Sequence, residues 1–449
     1  MSDLHILTFS WNAEAVRLCD SMNYQEAKTS QAHEQQTSSY FGGMWSMASR
    51  VGQAAGSLAA AALPCTIADF FNDMRAKIQL HNPDIIIIGF QEDAKPGSYF
   101  HSDLLGKEMP SLGYDYVKRT RLMGVGVTTY KAAKELDVKG RGLRLSVFAR
   151  PDLAKVIEIE EQELRSYTDS QSYNPFDTAE GHYSHICTSS VTRGKGGTVS
   201  YITLPGRGVL AVVNVHLPFN AGTLIEAKRL QDKLIRQDQL NYANICFNNI
   251  VRSLILYPER PGVSPPTSLD RNAVTHAIVL GDLNYRLYSD DSDAEAMANK
   301  LLEAYENENK EAIRQIYLNH DELIREMKKE NIYGFQEGVD NQGPLFMPTC
   351  KMAKGRRQVC KFDKRYEQGF KDIPTELRHK ASFTAPDCWK LGKFDQRIPS
   401  WCDRILYNKV QEDNPNNISC TLYDRFDIGD AMNKSDHAGV YAVLEISQI

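Results

Sequence analysis

Ala277-Ile278-Val279-Leu280-Gly281-Asp282-Leu283-Asn284 is the stretch on which the fold turns. Four apolar residues run without interruption into a glycine, then into a carboxylate and an amide two positions apart. So short an apolar run, without the spacing of a helix stripe, is expected to be a buried strand. Its lack of alternation implies cover on both faces, as in layered α/β proteins. If the strand continues past Gly281, period two puts Asp282 and Asn284 on one face. Taken alone, Asp-x-Asn after a strand is equally an Asx turn.

Working outward, six more runs have the same character: Ile6–Phe9, Ile85–Phe90, Leu143–Phe148, Val209–Val215, Arg404–Tyr407 and Val440–Ile446. Helical patterning falls between them at Ala68–Leu80, at Leu224–Val251, and over Asp293–Lys329 as a pair broken near Asn319. The runs at 260–266 and 338–348 are expected loops. No internal repeat or long linker is evident, so one domain is expected over residues 1–449.

Polar residues recur at one end of these strands. Ile6–Phe9 leads to Asn12, Ile85–Phe90 to Glu92, Val209–Val215 to His216, and Ala277–Leu280 to Asp282 and Asn284. The order reverses in the last two, where Asp403 precedes Ile405 and Asp436-His437 precedes Val440. In a mixed sheet an antiparallel strand starts where its neighbours finish, so all these groups are expected at one rim. Carboxylates and amides there suit magnesium, which takes oxygen ligands and substrate phosphate. The histidines suit donation to a phosphoryl group or proton transfer.

Composition narrows the function classes. The 449 residues are 42% hydrophobic and 24% charged, ordinary for a soluble globular protein. A net charge of −5 gives no general attraction to nucleic acid, which is not expected as a partner. Nine scattered cysteines without Cys-x-x-Cys fit a reducing, cytoplasmic compartment rather than a disulfide framework. No charged-then-apolar leader precedes the first strand, so no cleaved signal peptide is expected. Nucleotide-binding P-loops, Gly-x-Ser-x-Gly elbows and His-Glu-x-x-His are absent. Residues 41–63, rich in glycine, alanine and small side chains, make a poor transmembrane span. They suit either a loop or buried helix, or an interfacial segment giving peripheral membrane contact.

These motifs together resemble the inositol polyphosphate 5-phosphatases, within the superfamily of magnesium-dependent endonucleases, exonucleases and phosphatases. Gly281–Arg286 resembles one signature and Arg397-Ile398-Pro399-Ser400-Trp401-Cys402-Asp403-Arg404-Ile405-Leu406 the other. Trp11-Asn12, Gly89–Glu92, Lys195-Gly196-Gly197, Asn214–Leu217, Phe346–Lys351 and Ser435-Asp436-His437 follow the family's order. The resemblance covers nearly the whole chain except about residues 13–65, an expected insertion. It implies an α/β sandwich of two mixed sheets flanked by helices in four layers. It also implies hydrolysis of the 5-phosphate of a phosphoinositide or soluble inositol phosphate. Another phosphodiesterase or nuclease of the superfamily is the alternative.

Carried over residue by residue, the resemblance makes Glu92, Asn12 and Asp436 holders of Mg2+. Asp282 positions the water, Asn284 and His216 contact the scissile phosphate, and His437 acts on it while oriented by Asp403. Lys195, Arg286, Lys351, Arg397 and Arg404 are the implied substrate-binding residues. Three positions depart. The family's Asn before Lys-Gly-Gly, which helps read the 1-phosphate side, is Gly194 here. Where the family places a tyrosine and a lysine that grip the 4-phosphate, this chain has Cys350 and Asp395, with Lys351 and Arg397 of the same grip retained. A short thiol lacks a phenol's reach and a carboxylate repels phosphate, which implies looser reliance on the 4-phosphate. Lys393 offers the competing reading, in which the contact is rebuilt.

Overall fold

The structure is a computed structural model describing residues 3–13, 67–93, 108–123, 142–163, 196–217, 274–288, 307–350, 400–411, 413–426, 435 and 437–448, with parts of 240–255 and 297–305. Its strands, in chain order, are β1 (Leu4–Asn12), β2 (Ile85–Asp93), β3 (Asp115–Met123), β4 (Gly142–Ala149), β5 (Glu158–Glu163) and β6 (Gly196–Leu204). They continue with β7 (Gly208–His216), β8 (Val274–Asp282), β9 (Gln336–Glu337), β10 (Asp403–Lys409), β11 (Asn416–Phe426) and β12 (Gly439–Gln448). They form two six-stranded sheets, ordered β11-β12-β1-β2-β4-β3 and β5-β6-β7-β8-β10-β9. β1 runs parallel to β2 and β7 to β8, and the other pairs are antiparallel, so both sheets are mixed.

Period two sorts the strand residues into three apolar clusters. Ile6, Ile85, Ile87, Leu145, Val147, Leu210, Val212, Ile278, Leu280, Ile405 and Val440 meet between the sheets. Their neighbours Leu7, Phe9, Ile86 and Ile88 face outward onto Met74 and Ile78 of helix α1 (Ile67–His81). On the other sheet Val213, Val215, Ala277 and Val279 face the helical residues Ala243, Phe247 and Ile250. The result is helix, sheet, sheet, helix. Because both faces of the central strands are covered, most of their sequences are apolar throughout. Each buried Ile, Leu or Val contributes roughly 1.5–3 kcal/mol relative to exposure.

All seven expected strands lie inside observed ones, and Ala68–Leu80 lies inside α1. The helix pair expected over Asp293–Lys329 is in fact more segmented: helical residues within 297–305 end in a turn at 307–308, and α2 (Lys310–His320), capped by Asn309, and α3 (Glu322–Lys328) follow, broken at Asp321. Asp321 ends one helix and caps the next, its side chain accepting from Ile324 N at 3.3 Å. Of Leu224–Val251 only the part from residue 240 is described, and 260–266 lies outside the described residues. Edge strands β3, β5, β9 and β11 and the interior strand β6 were not expected from patterning, since polar residues or glycines interrupt or replace their apolar ones.

A buried ionic network joins these elements. Arg404 donates through Nε to Glu337 Oε1 at 2.6 Å, through Nη2 to Glu337 Oε2, and through Nη1 to Asp321 Oδ2 at 3.0 Å. Tyr317 and Tyr423 also donate to Glu337, at 2.9 and 3.0 Å. Burial outweighs the attraction of Arg404 and pushes the Asp321 carboxyl from 3.8 up to about 6. A raised carboxyl pKa means that, between pH 4 and 6, the unfolded chain releases this proton while the folded chain keeps it. Stability from this group therefore falls as pH rises through that window, by on the order of 3 kcal/mol. Asp321→Asn keeps a capping oxygen. It should flatten the pH 4–6 slope of unfolding free energy by up to about one proton, measured by urea denaturation at each pH. An unchanged slope would show that Asp321 titrates normally.

Candidate active site

The inward face of each central strand changes from apolar to polar along its length. In β1 it goes Leu4, Ile6, Thr8, Ser10, Asn12; in β2, Ile85, Ile87, Gly89, Gln91; in β7, Leu210, Val212, Asn214, His216; in β8, Ile278, Leu280, Asp282. The parallel registers align these ends, Asn12 with Gln91 and His216 with Asp282. Antiparallel β10 starts at Asp403 directly opposite Asp282.

Asp282 is the point of convergence. Its Oδ2 accepts from Asn12 Nδ2 of the other sheet at 2.8 Å and lies 3.2 Å from His216 Nε2. Oδ1 accepts the Asn284 backbone N–H at 3.0 Å, so the Asx turn forms as well. His216 Nε2 is also 3.9 Å from Glu92 Oε1. His437 Nδ1 pairs with Asp403 Oδ2 at 2.8 Å. Asp282, Asp403 and His437 each present an atom within 4.8 Å of the others, and all three residues are buried. Ser435 Oγ donates to Asn12 O at 2.8 Å and accepts from His437 N at 3.1 Å, while Trp11 Nε1 donates to His437 O at 3.2 Å. The end of β1 thus holds the approach to β12.

The backbone is strained at two of these positions. Glu92 (φ 51°) and Asn284 (φ 57°) lie in the left-handed region. Asparagine tolerates it, but for glutamate it is uncommon and costs on the order of 1–3 kcal/mol. The electrostatics are coupled. Burial pushes Asp403 up to about 6 against the opposing pull of His437. Burial alone would depress the His437 imidazole, but the Asp403 carboxylate and Cys350 sulfur outweigh it and hold it well above its ordinary range. The proton of this pair therefore rests on the imidazole. The donor set fits a hard divalent cation: Glu92 is a partly exposed carboxylate, and Asn12 and Asp282 add oxygens. Among the described residues, buried Asp403 Oδ1 has no hydrogen-bond partner.

The sequence matches the endonuclease/exonuclease/phosphatase family 2 over residues 21–443. The chain belongs to that family. It is 26% identical over 269 residues to phosphatidylinositol 3,4,5-trisphosphate 5-phosphatase 1 of Xenopus laevis, covering 59% of this chain and 20% of that protein. The human protein of that name is 26% identical over 273 residues, covering 59% and 18%. The Danio rerio 3,4,5-trisphosphate 5-phosphatase 2B is 27% identical over 275 residues, covering 60% and 17%. The chain thus matches about a fifth of the length of these relatives. A crystal structure of the inositol polyphosphate 5-phosphatase domain of SPsynaptojanin, with inositol (1,4)-bisphosphate and calcium, is 14% identical with a TM-score of 0.48. It covers 100% of this chain and 86% of that one. That likeness is weak, and the fold assignment rests on the two mixed sheets and the family match.

Of the residues the family resemblance singled out, Asn12, Glu92, His216, Asp282, Asn284, Asp403 and His437 come together at the rim. Arg286 is buried behind it, donating through Nη2 to Asn284 Oδ1 at 2.9 Å and through Nη1 to Cys350 Sγ at 3.2 Å. Arg404 is placed differently from the expectation that it binds substrate. It is fully buried and committed to Glu337 and Asp321 in the network described above. Lys195, Lys351, Asp395, Arg397, Asp436, residues 41–63 and nearly all of the 13–65 insertion lie outside the described residues. Gln91 and Asn214 belong to the site's floor but were not singled out. Their signal was register, since each sits two residues along an inward face from an apolar or glycine position.

Gly281 lets β8 reach the rim. Its φ is +140°, and a Cβ there would lie 1.9 Å from the carbonyl oxygen of Val215. Gly281→Ala should destabilise the fold by at least ~2 kcal/mol, read by urea denaturation. Gly113→Ala, where φ is +85° but no atom lies within 4 Å of the added carbon, should cost only about 1 kcal/mol. Equal losses would show that crowding against β7 is unimportant.

Proposed function

We propose that the chain is a magnesium-dependent phosphatase that removes the 5-phosphate from phosphoinositides or soluble inositol phosphates. The observation that carries this is the buried Asp403–His437 pair held within 4.8 Å of Asp282, in a chain whose relatives are named as 5-phosphatases. Phosphoryl transfer mostly requires in-line positioning and neutralised equatorial charge. Asp282, held as a carboxylate by Asn12 and His216, orients the attacking water. The His437 imidazolium donates to a phosphoryl oxygen while Asp403 fixes its ring. Asn284 and His216 contact the scissile group. Mg2+, held by Glu92, Asn12 and Asp436, supplies further positive charge to the phosphoryl oxygens when bound.

Dependence on the 4-phosphate is loosened in this proposal. Cys350 is almost wholly buried, and its sulfur accepts from Arg286 rather than projecting outward. Asp395, at the other gripping position, repels phosphate, which leaves Lys351 and Arg397 to hold it.

Asp282→Ala and His437→Ala should each lower turnover by roughly 10²–10⁴-fold, with urea midpoints close to the parent. Phosphate release that survives either change overturns the assigned roles. On a panel of inositol phosphates and phosphoinositides, release should need both Mg2+ and a 5-phosphate. Substrates with and without the 4-phosphate should differ in kcat/KM by less than about tenfold, a gap worth about 1.4 kcal/mol. A strong preference for the 4-phosphate would instead favour a contact rebuilt by Lys393.

A further inference from the structure

One layer below the rim, two amides join the sheets. Gln91 Nε2 donates to Asn214 Oδ1 at 2.7 Å and to Ser10 Oγ at 3.2 Å. Asn214 Nδ2 donates to the carbonyls of Phe90 at 3.0 Å and Arg144 at 2.8 Å. Two carbonyls cannot face an amide oxygen, so the orientation of Asn214 is determined, and with it that of Gln91. Residues from β1, β2 and β4 of one sheet are thereby tied to β7 of the other. Ser10, Gln91 and Asn214 are all fully buried. Gly89 permits the approach, since a Cβ there would lie 2.0 Å from Leu280 Cδ1 and 3.2 Å from Asn214 Cγ.

The same inward faces carry Ile85, Ile87, Leu210 and Val212 a few residues away. An apolar residue at 214 would take the amide donor from the carbonyls of Phe90 and Arg144, so the amides serve stability as well. What amides add is direction, because a satisfied buried network specifies one arrangement. The groups it fixes are adjacent in sequence. Glu92, in its strained left-handed conformation, follows Gln91, and His216 lies two residues along the same face from Asn214. These two reach each other across the sheets at 3.9 Å.

We infer that Gln91 and Asn214 are positioning residues whose amide clamp sets the separation of Glu92 from His216 and Asp282, and so shapes both cation binding and turnover. This rests on reading Glu92 as a metal ligand and the rim as hydrolytic. The clamp itself touches neither substrate nor metal.

The test uses the full chain carrying Gln91→Leu, Asn214→Leu, both together, and the milder Ser10→Ala. Mg2+ binding is followed by calorimetry without substrate. The kcat and KM for phosphate release from an inositol trisphosphate bearing the 5-phosphate are measured per folded molecule. Each single leucine variant should weaken Mg2+ binding at least about tenfold and lower kcat at least about thirtyfold, with KM changed less than about threefold. The double variant should lose little more than either single one. Ser10→Ala, which removes one acceptor, should shift both readouts in the same direction by a few-fold, and it decides the matter if the leucine variants do not fold. Lower melting temperatures with unchanged Mg2+ affinity and unchanged kcat per folded molecule overturn the inference. If the parent releases phosphate without binding Mg2+, the metal assignment fails and kcat still decides the clamp. If it binds Mg2+ but releases none, the hydrolytic reading fails and calorimetry decides. A parent that does neither overturns both.

Discussion

The 2.8 Å hydrogen bond from Asn12 Nδ2 to Asp282 Oδ2 crosses between the two sheets, and the rim is organised around it. Asp282 is a carboxylate exposed to only 1%. An ion that deep must be paired or give up its charge. Asn12 donates from one sheet, while His216 Nε2 and the Asn284 N–H meet the same carboxylate from the other. Fold and site geometry are therefore coupled at a single carboxylate. Whatever moves β1 against β8 also breaks the bond from Asn12 to the residue assigned to hold water.

That coupling explains where polar residues fall along the inward faces. At the far end the sheets meet through Ile, Leu and Val, and the contact is non-directional. Toward the rim, Thr8, Ser10, Gln91, Thr198, Ser200 and Asn214 replace them. Each polar layer weakens the hydrophobic contribution but restricts sliding. The sandwich is thus held together at one end and aligned at the other. Strain sits at the aligned end, in Glu92 and Asn284, where surrounding bonds over-determine the backbone.

Legibility in the sequence followed burial. Most central strands were readable because cover on both faces makes them apolar throughout; β6, buried on both faces but carrying Gly196, Gly197, Thr198 and Ser200, was not. β5, whose Glu158, Glu160, Glu161 and Glu163 flank a single isoleucine, was not, because an edge strand is defined by its partner β6 rather than by its own pattern. The rim residues were readable because each ends an apolar run, and the reversed order before β10 and β12 signalled antiparallel strands. Arg404 was misplaced because the resemblance carried it over with its signature as a substrate contact, whereas the structure buries it in an ionic network. Its true partners, Asp321 and Glu337, lie 83 and 67 residues away, a separation that no local pattern encodes.

Cys350 ties the rim to the interior behind it. It pairs through its backbone with both Ser400 and His437, so a residue there borders His437 whatever its side chain. The thiol turns inward to Arg286, whose other arm holds Asn284 Oδ1. The hydrogen bond from Cys402, together with the nearby cations and against the opposing effect of burial, holds the Cys350 thiol well below its ordinary pKa. In this chain the side chain at position 350 thus contributes to the placement of Asn284 from behind, through the two arms of one guanidinium.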